Sequence, residues 1–198
     1  TINAGYDGVA GGGGGRILDS GGLLNVAENV TLKAYANVGD PGPAVAPVHL
    51  GSSVTGLATL SETGNIFGDK VGALVITGVS NPLVSVSYTA TGAITQTGAM
   101  VANTLNATVT GAGGITLLDP TNNVTNLNMN APGALSYYQT ASFTVAQALG
   151  TGMTLGSGGS ILLQSLSPTT PLNINAGSGD VTLSTVGAIS ITGPGSIT

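Results

Sequence analysis

The chain contains no cysteine and no tryptophan. A disulfide scaffold and thiolate metal sites are therefore excluded. Charge is almost as scarce. Only 6% of the 198 residues are Asp, Glu, Lys or Arg, against about 25% in ordinary soluble domains. The three bases, Arg16, Lys33 and Lys70, are scattered, and the formal net charge is −5, so there is no electrostatic footprint for nucleic acid or anionic lipid. No uninterrupted apolar run reaches the roughly 18 residues that a membrane-spanning helix needs. No charged segment followed by an apolar one marks a signal peptide. Strong helix formers are few, and glycine interrupts the chain at short intervals throughout, which argues against helices.

What is abundant is glycine, 33 residues, within a composition that is 41% hydrophobic. That apolar content is enough to build a core and excludes simple disorder. Thr, Ser and Asn take the surface positions that Lys and Glu usually fill. Low charge also removes the repulsion that keeps proteins apart, so self-association is expected.

Short runs alternate β-branched or Leu residues with Thr, Ser or Asn, as in Leu172-Asn173-Ile174-Asn175, Val181-Thr182-Leu183 and Ile189-Ser190-Ile191-Thr192. Period two between turn residues is the signature of strands. A Gly-x-apolar triplet opens such runs at Gly72, Gly92, Gly113, Gly133, Gly159 and Gly179. Four of the five steps between successive glycines are nearly equal, and the step from Gly133 to Gly159 is longer. The pattern reads as one repeat of about 20 residues with a small insertion in one copy. Leu127-Asn128-Met129-Asn130-Ala131 is echoed by Leu172-Asn173-Ile174-Asn175-Ala176, further along by close to two repeats plus an insertion.

A repeat this short holds two or three strands. It is too short for a strand–helix–strand unit, which needs roughly 30 residues. One repeat cannot bury its own apolar side, but stacked coils can, each strand pairing with its counterpart above and below. The expected fold is all-β: a right-handed parallel β-helix, or β-solenoid, with coils of about 20 residues. About ten such coils at about 4.8 Å each would make a rod on the order of 50 Å long. Asn suits the exterior by hydrogen-bonding to an identical Asn one coil away, and Gly suits the corners.

Residues 71–198 read as regular repeats. Residues 1–70 read as irregular or decorated coils, with a glycine-rich loop at 11–15, a strand at 28–35 and a Pro-rich excursion from Gly39 to Pro47, since three prolines cannot all sit in a paired strand. The chain opens on Thr1 and ends on strand-like Gly195-Ser196-Ile197-Thr198, which favours a piece of a longer protein.

Gly92-Ala93-Ile94-Thr95-Gln96-Thr97-Gly98, Asn122-Asn123-Val124-Thr125-Asn126-Leu127, Gly179-Asp180-Val181-Thr182-Leu183 and Gly187-Ala188-Ile189-Ser190-Ile191-Thr192-Gly193 resemble the repeat segments of filamentous-haemagglutinin-like exoproteins. The resemblance covers mainly residues 70–198. It implies a right-handed parallel β-helix, export across a bacterial outer membrane to the cell surface or medium, and a role in adhesion or biofilm matrix. The family's secretion domain carries an Asn-Pro-Asn-Leu motif. Here Asn81-Pro82-Leu83 matches it only in part and lies between repeat-like strands, so this chain is not expected to be that domain.

Candidate chemistry is thin. Glycoside hydrolysis needs two carboxylates about 5–10 Å apart, which on a solenoid means acids about one coil apart. Asp19 with Asp40, and Asp40 with Glu62, come closest; Asp40, before Pro-Gly, is more simply a turn residue. His49 is the only histidine and reads as an incidental loop residue with no close acid. Adjacent Asp69 and Lys70 read as a solvated turn. The glycine run before Arg16 lacks the Lys-Ser/Thr ending of a phosphate loop, and the acids do not repeat as a calcium roll requires. Neighbouring Tyr137 and Tyr138 should face opposite ways, one ring in the core and one outside; an outer ring could meet a sugar. No strict Thr ladder at coil spacing is visible, which disfavours ice binding.

The expectation is thus a non-catalytic protein without cofactor or metal. Its expected partners are further copies or a continuation of the same chain, and a glycan or host surface, with no nucleic acid. The last strands carry no charged or polar cap, and natural sheet edges are protected by charge or proline. Ile189, Ile191 and Ile197, with Ile2 at the other end, are the expected self-assembly contacts. The rivals are a polysaccharide-active β-helix enzyme and a phage tail or spike segment.

Overall fold

The computed structural model describes residues 1–4, 17, 23–25, 27–39, 47–61, 64–164, 172–193 and 195–198. Among the described residues every regular element is a strand, and every pairing between strands is parallel. Between the two ends, each strand pairs with the strand one turn before it and one turn after it, so the sheet is a stack of turns: a β-solenoid. The last turn shows the unit plainly, with three short strands, Val181–Thr185, Ile189–Thr192 and Gly195–Ile197. These lie on three faces of the coil, called here the first, second and third.

Period-two patterning fixes which side chains enter the core. In Leu135–Gln139 the buried and partly exposed residues alternate throughout, and Asn29–Ala34 behaves likewise after its first residue. A first-face ladder stacks Leu74, Ile94, Ile115, Leu135, Met153 and Val181. A third-face ladder runs Val48, Gly68, Tyr88, Ala107, Met129, Ala148, Ile174 and Ile197, seven steps in all. From Gly68 to Ile174 small and large side chains alternate, and the Tyr88 ring lies 3.3 Å from where a Cβ on Gly68 would stand. Each large group thus fills the space that its small neighbours leave, which keeps interior packing dense.

Leu24 pairs with Leu50 one turn before this ladder and adds an eighth step, so eight steps of about 4.8 Å give a rise of about 38 Å. The expected ten-turn rod is therefore too long, because some turns take more chain than the repeat suggests. Met153 pairs with Val181, and Val38 with Ile66, each nearly one and a half repeats further on. Val48 pairs with Gly68 just beyond Ile66, so the ladder is present on both sides of the Gly39–Pro47 segment; residues 40–46 themselves lie outside the described residues, as does the glycine run at 11–15. The ladder crosses residue 70 unbroken, through Gly56–Ser61 and Ile66–Lys70 onto Leu74–Ala90.

All six Gly-x-apolar triplets open strands, at Leu74, Ile94, Ile115, Leu135, Ile161 and Val181. Ile161, however, belongs to the second-face ladder Phe143–Ile161–Ile189. The long step from Gly133 to Gly159 therefore compares two different corners. The long turn is the one from Met153 to Val181. At the first-face corner the glycines stack directly: Gly92 N donates to Gly72 O at 2.9 Å and Gly133 N to Gly113 O at 2.8 Å. Gly113 has φ +136, and a Cβ there would stand 2.7 Å from Ala93 N. The Asn echo is also structural. Asn128 stacks on Gln147 and Gln147 on Asn173, so the two segments are two turns apart.

Candidate functional site

The four residues expected to mediate assembly lie at the two ends of the stack. Ile2 pairs with Leu32 and lines a groove with Leu24 and Val30. Ile189, Ile191 and Ile197 stack on Ile161, Leu163 and Ile174. Those three lower partners are fully buried, while the upper three are 45%, 61% and 40% exposed. The contrast has a simple cause: all six occupy the same inward position, but among the described residues no strand covers the last turn. Val186, at 86% exposure, widens the same apolar edge.

Asp19, Asp40 and Glu62 lie outside the described residues. His49 and Asp69 correct the expectation made for them. Both are in strands, Val48–Leu50 and Ile66–Lys70, which pair directly. His49 Nδ1 and Asp69 Oδ1 are 2.5 Å apart, with about a third of each side chain exposed. Asp69-Lys70 is consequently no solvated turn. Strand alternation turns Asp69 outward and Lys70 inward, where it stacks between Leu50 and Ala90. Lys70 is 6% exposed; its Nζ reaches the carbonyls of Ser52 at 3.4 Å and Val71 at 3.5 Å. Burial holds its pKa below the ordinary lysine value. Among the described residues no three metal-ligating side chains gather.

A buried polar seam occupies one corner of successive turns, and sequence reasoning misses it. Gln139 is fully buried. Its Oε1 accepts from Val124 N at 2.9 Å and from the Tyr137 hydroxyl at 2.6 Å. Its Nε2 donates to the carbonyls of Val124 at 3.1 Å, Ser142 at 3.0 Å and Ala141 at 3.3 Å. The side-chain amide thus pairs with Val124 as a neighbouring strand would. Over the two preceding turns, Asn122 and Gln96 exchange amide hydrogen bonds at 2.9 and 3.1 Å, and Asn122 Oδ1 accepts from Met100 N at 2.9 Å. Later turns put Ser157 and Thr185 at the same ladder position as Gln139. The available signal is a polar residue in the inward phase of an alternating strand. Tyr137, packed edge-on against Phe143 with ring centroids 5.1 Å apart, is buried in this corner, and desolvation raises its pKa.

Outside, the faces differ. On the third face the side chains satisfy one another: Asn128 Nδ2 donates to Asn106 Oδ1 at 2.9 Å, and Asn106 Nδ2 to Ser87 Oγ at 3.1 Å. On the first face, Thr95, Thr116, Ser136, Thr154 and Thr182 form a continuous hydroxyl ladder. With Ser136 in the row and uneven intervals along the chain, it is not the strict Thr ladder at coil spacing that the sequence also lacks. The partners are unevenly spaced along the chain, the interval from Thr154 to Thr182 being the longest, and uneven spacing hides the ladder from a search at one fixed period. Beside the ladder lie Leu118, 49% exposed, and Tyr138, half-buried. As expected, Tyr137 faces in and Tyr138 out. The Tyr138 ring lies over Gly156, where an added Cβ would stand 2.8 Å from Cδ2. A shallow groove of about 370 Å³, lined by Thr95, Thr97, Thr116, Leu118, Asp119 and Pro120, adjoins this strip. The Asp119 carboxylate accepts from the Thr121 hydroxyl at 2.5 Å and from Thr121 N at 2.8 Å, which holds its pKa below the usual carboxylate range.

Among the described residues, no helix is long and apolar enough to cross a membrane. No protein family, no curated protein and no solved structure matches the chain.

Proposed function

We propose that this chain is an extracellular structural and adhesive solenoid of a bacterial surface or biofilm-matrix protein, of the filamentous-haemagglutinin-like kind, and that it is not an enzyme. The observation that carries the reading is the unbroken parallel ladder, whose exterior is largely uncharged Thr, Ser and Asn. Such a rod is a spacer and a display surface, because each turn depends only on its neighbours and length is gained by repetition. Its coil is right-handed, as nearly all parallel crossover connections are. The segment-level resemblance of residues 70–198 supports the family assignment.

The edge formed by Ile189, Ile191 and Ile197 receives another turn of solenoid, from continuing chain or from a second copy that presents Ile2. Unpaired strand edges template further strands. Electron microscopy of the native material tests this. Filaments with an axial repeat of about 43 Å, nine pairings of about 4.8 Å, indicate stacking of copies, and Ile191→Lys should then reduce filament yield. Isolated short rods indicate a module within a longer adhesin. Compact particles with no rod shape would sink the reading.

One observation favours the rival of a polysaccharide-active enzyme: the His49–Asp69 pair in the outer surface of the third face. Glycan-cleaving activity abolished by His49→Ala would establish it in place of the non-catalytic reading.

A further inference from the structure

We infer that the first face carries a binding strip for a neutral polysaccharide chain. Tyr138 and Leu118 supply its apolar contact, and the Thr95–Thr116–Ser136–Thr154–Thr182 hydroxyls supply a polar track beside them. The inference rests on the surface-adhesive reading and names a partner and a site for it.

Three observations converge. The first is the state of the hydroxyls. The third-face amides hydrogen-bond to one another, but the five first-face hydroxyls make no side-chain hydrogen bond among the described residues. They stand one per turn, about 4.8 Å apart, each free to donate and to accept.

The second observation is the amphipathic neighbour. A pyranose ring has an apolar C–H face and a rim of hydroxyls. The strip offers the matching pair: an aromatic ring and an exposed Leu in one column, hydroxyls in the next. Ser136 and Tyr138 lie two positions apart on one strand and project to the same side. Tyr138 can occupy its position because Gly156, one turn on, has no side chain to displace the ring. The adjoining groove, bounded by Thr95, Thr116 and Leu118, is large enough to seat a sugar residue.

The third is charge. All three basic residues precede residue 71, and beyond it the only charged side chains are Asp119 and Asp180. Asp119 lines the groove with its pKa held below the usual range, so it is ionised at neutral pH. An anionic polymer would find no cation here and would be repelled. A neutral one would be repelled by nothing and would find a carboxylate able to accept from its hydroxyls. An ice surface is a poorer fit, because the column beside the hydroxyls, with Leu118, Tyr138, Gly156 and Ser184, is irregular.

The test is native affinity electrophoresis of the intact chain through gels containing hydroxyethyl cellulose, laminarin or glucomannan, with polygalacturonate as the anionic control. Retardation by at least one neutral polymer, and none by polygalacturonate, is expected. Tyr138→Ala should weaken binding about 2- to 10-fold, the range of one aromatic contact. Thr116→Val, which removes a hydroxyl at constant shape on an exposed position, should also weaken it and carries the test if Tyr138→Ala fails to fold. Asn106→Ala on the third face should change nothing. Unaltered migration in every neutral gel, retardation by polygalacturonate alone, or binding that survives both Tyr138→Ala and Thr116→Val would overturn the inference. Intact rods that bind none of these polymers would refute the strip and leave the scaffold reading standing.

Discussion

Replacing Gln139 by Met tests whether the corner seam holds the coil together. Met matches the length and volume of Gln but has no donor and only a weak acceptor. In the wild type the Gln139 amide serves five groups: Val124 N, the Tyr137 hydroxyl, and the carbonyls of Val124, Ala141 and Ser142. The substitution orphans two donors in a fully buried corner. Each unsatisfied buried donor costs about 1–3 kcal/mol, so the two together cost about 2–6 kcal/mol. Leaving the amide out of the core returns roughly 1 kcal/mol of desolvation. The net loss expected is about 1–5 kcal/mol, a large fraction of the roughly 5–15 kcal/mol that holds an ordinary domain together.

The assay is urea unfolding followed by far-UV circular dichroism, with Asn128→Ala as the control. Asn128 also loses a hydrogen bond, to Asn106, but water can replace it on the outer face, and the change should stay within about 1 kcal/mol. Because turns couple only to neighbours, hydrogen exchange in Gln139→Met should accelerate first around Val124 and residues 137–143. Amides of Leu74–Ile76 should follow later. If the Met variant unfolds at the same urea concentration as the control, or exchange accelerates evenly along the chain, the seam is not what secures this corner.

Gly113→Ala should destabilise the chain by about 1–3 kcal/mol through strain at positive φ and contact with Ala93, whereas Gly78→Ala, with no atom within 4 Å of the new Cβ, should be neutral or stabilise by about 0.4–1 kcal/mol; thermal melts of the pair check this. Tyr88 and Tyr137 are buried as neutral phenols with raised pKa. Unfolded phenols lose their protons near their ordinary value of 10.0, so stability is intact below that pH and falls above it, by up to about 2.7 kcal/mol per pH unit for two groups. Urea midpoints across this range, with tyrosinate absorbance following unfolding and not preceding it, are the expected result. For Lys70 the lowered pKa works the other way. Its penalty is present at neutral pH and is relieved as pH climbs toward 10.5, so the stability difference between Lys70→Met and wild type should favour the variant most at neutral pH and shrink as the pH rises.

Much of the fold is legible in the sequence because a solenoid writes its geometry locally. Alternation marks the strands, and small corner residues mark where strands begin. The same simplicity misleads the count. Several corners demand small residues, so Gly159-Ser160-Ile161 looks like the first-face corner while opening a second-face strand. His49 and Asp69 stand one coil apart, the same relation that would bring two carboxylates together. A lone histidine escapes notice because the spacing rule pairs like with like, acid with acid. Asp69-Lys70 looks like a turn because adjacent opposite charges suggest solvent. The phase of Ile66, Gly68 and Lys70 shows instead that the lysine points inward. Gln139 is opaque for a related reason, since hydropathy alone cannot distinguish a polar residue that leaves the core from one that replaces a strand's hydrogen bonds inside it.

The alternation of small and large groups along Gly68, Tyr88, Ala107, Met129, Ala148 and Ile174 bears on how such a chain can lengthen. Copying a single turn would set large against large, as Tyr against Tyr, or small against small with a void between them. Copying two turns at once preserves the order. On this face, the unit of duplication that keeps the packing order is therefore a pair of turns. The kinship of Leu127-Asn128-Met129-Asn130 with Leu172-Asn173-Ile174-Asn175, two levels apart, is the trace that such a history would leave.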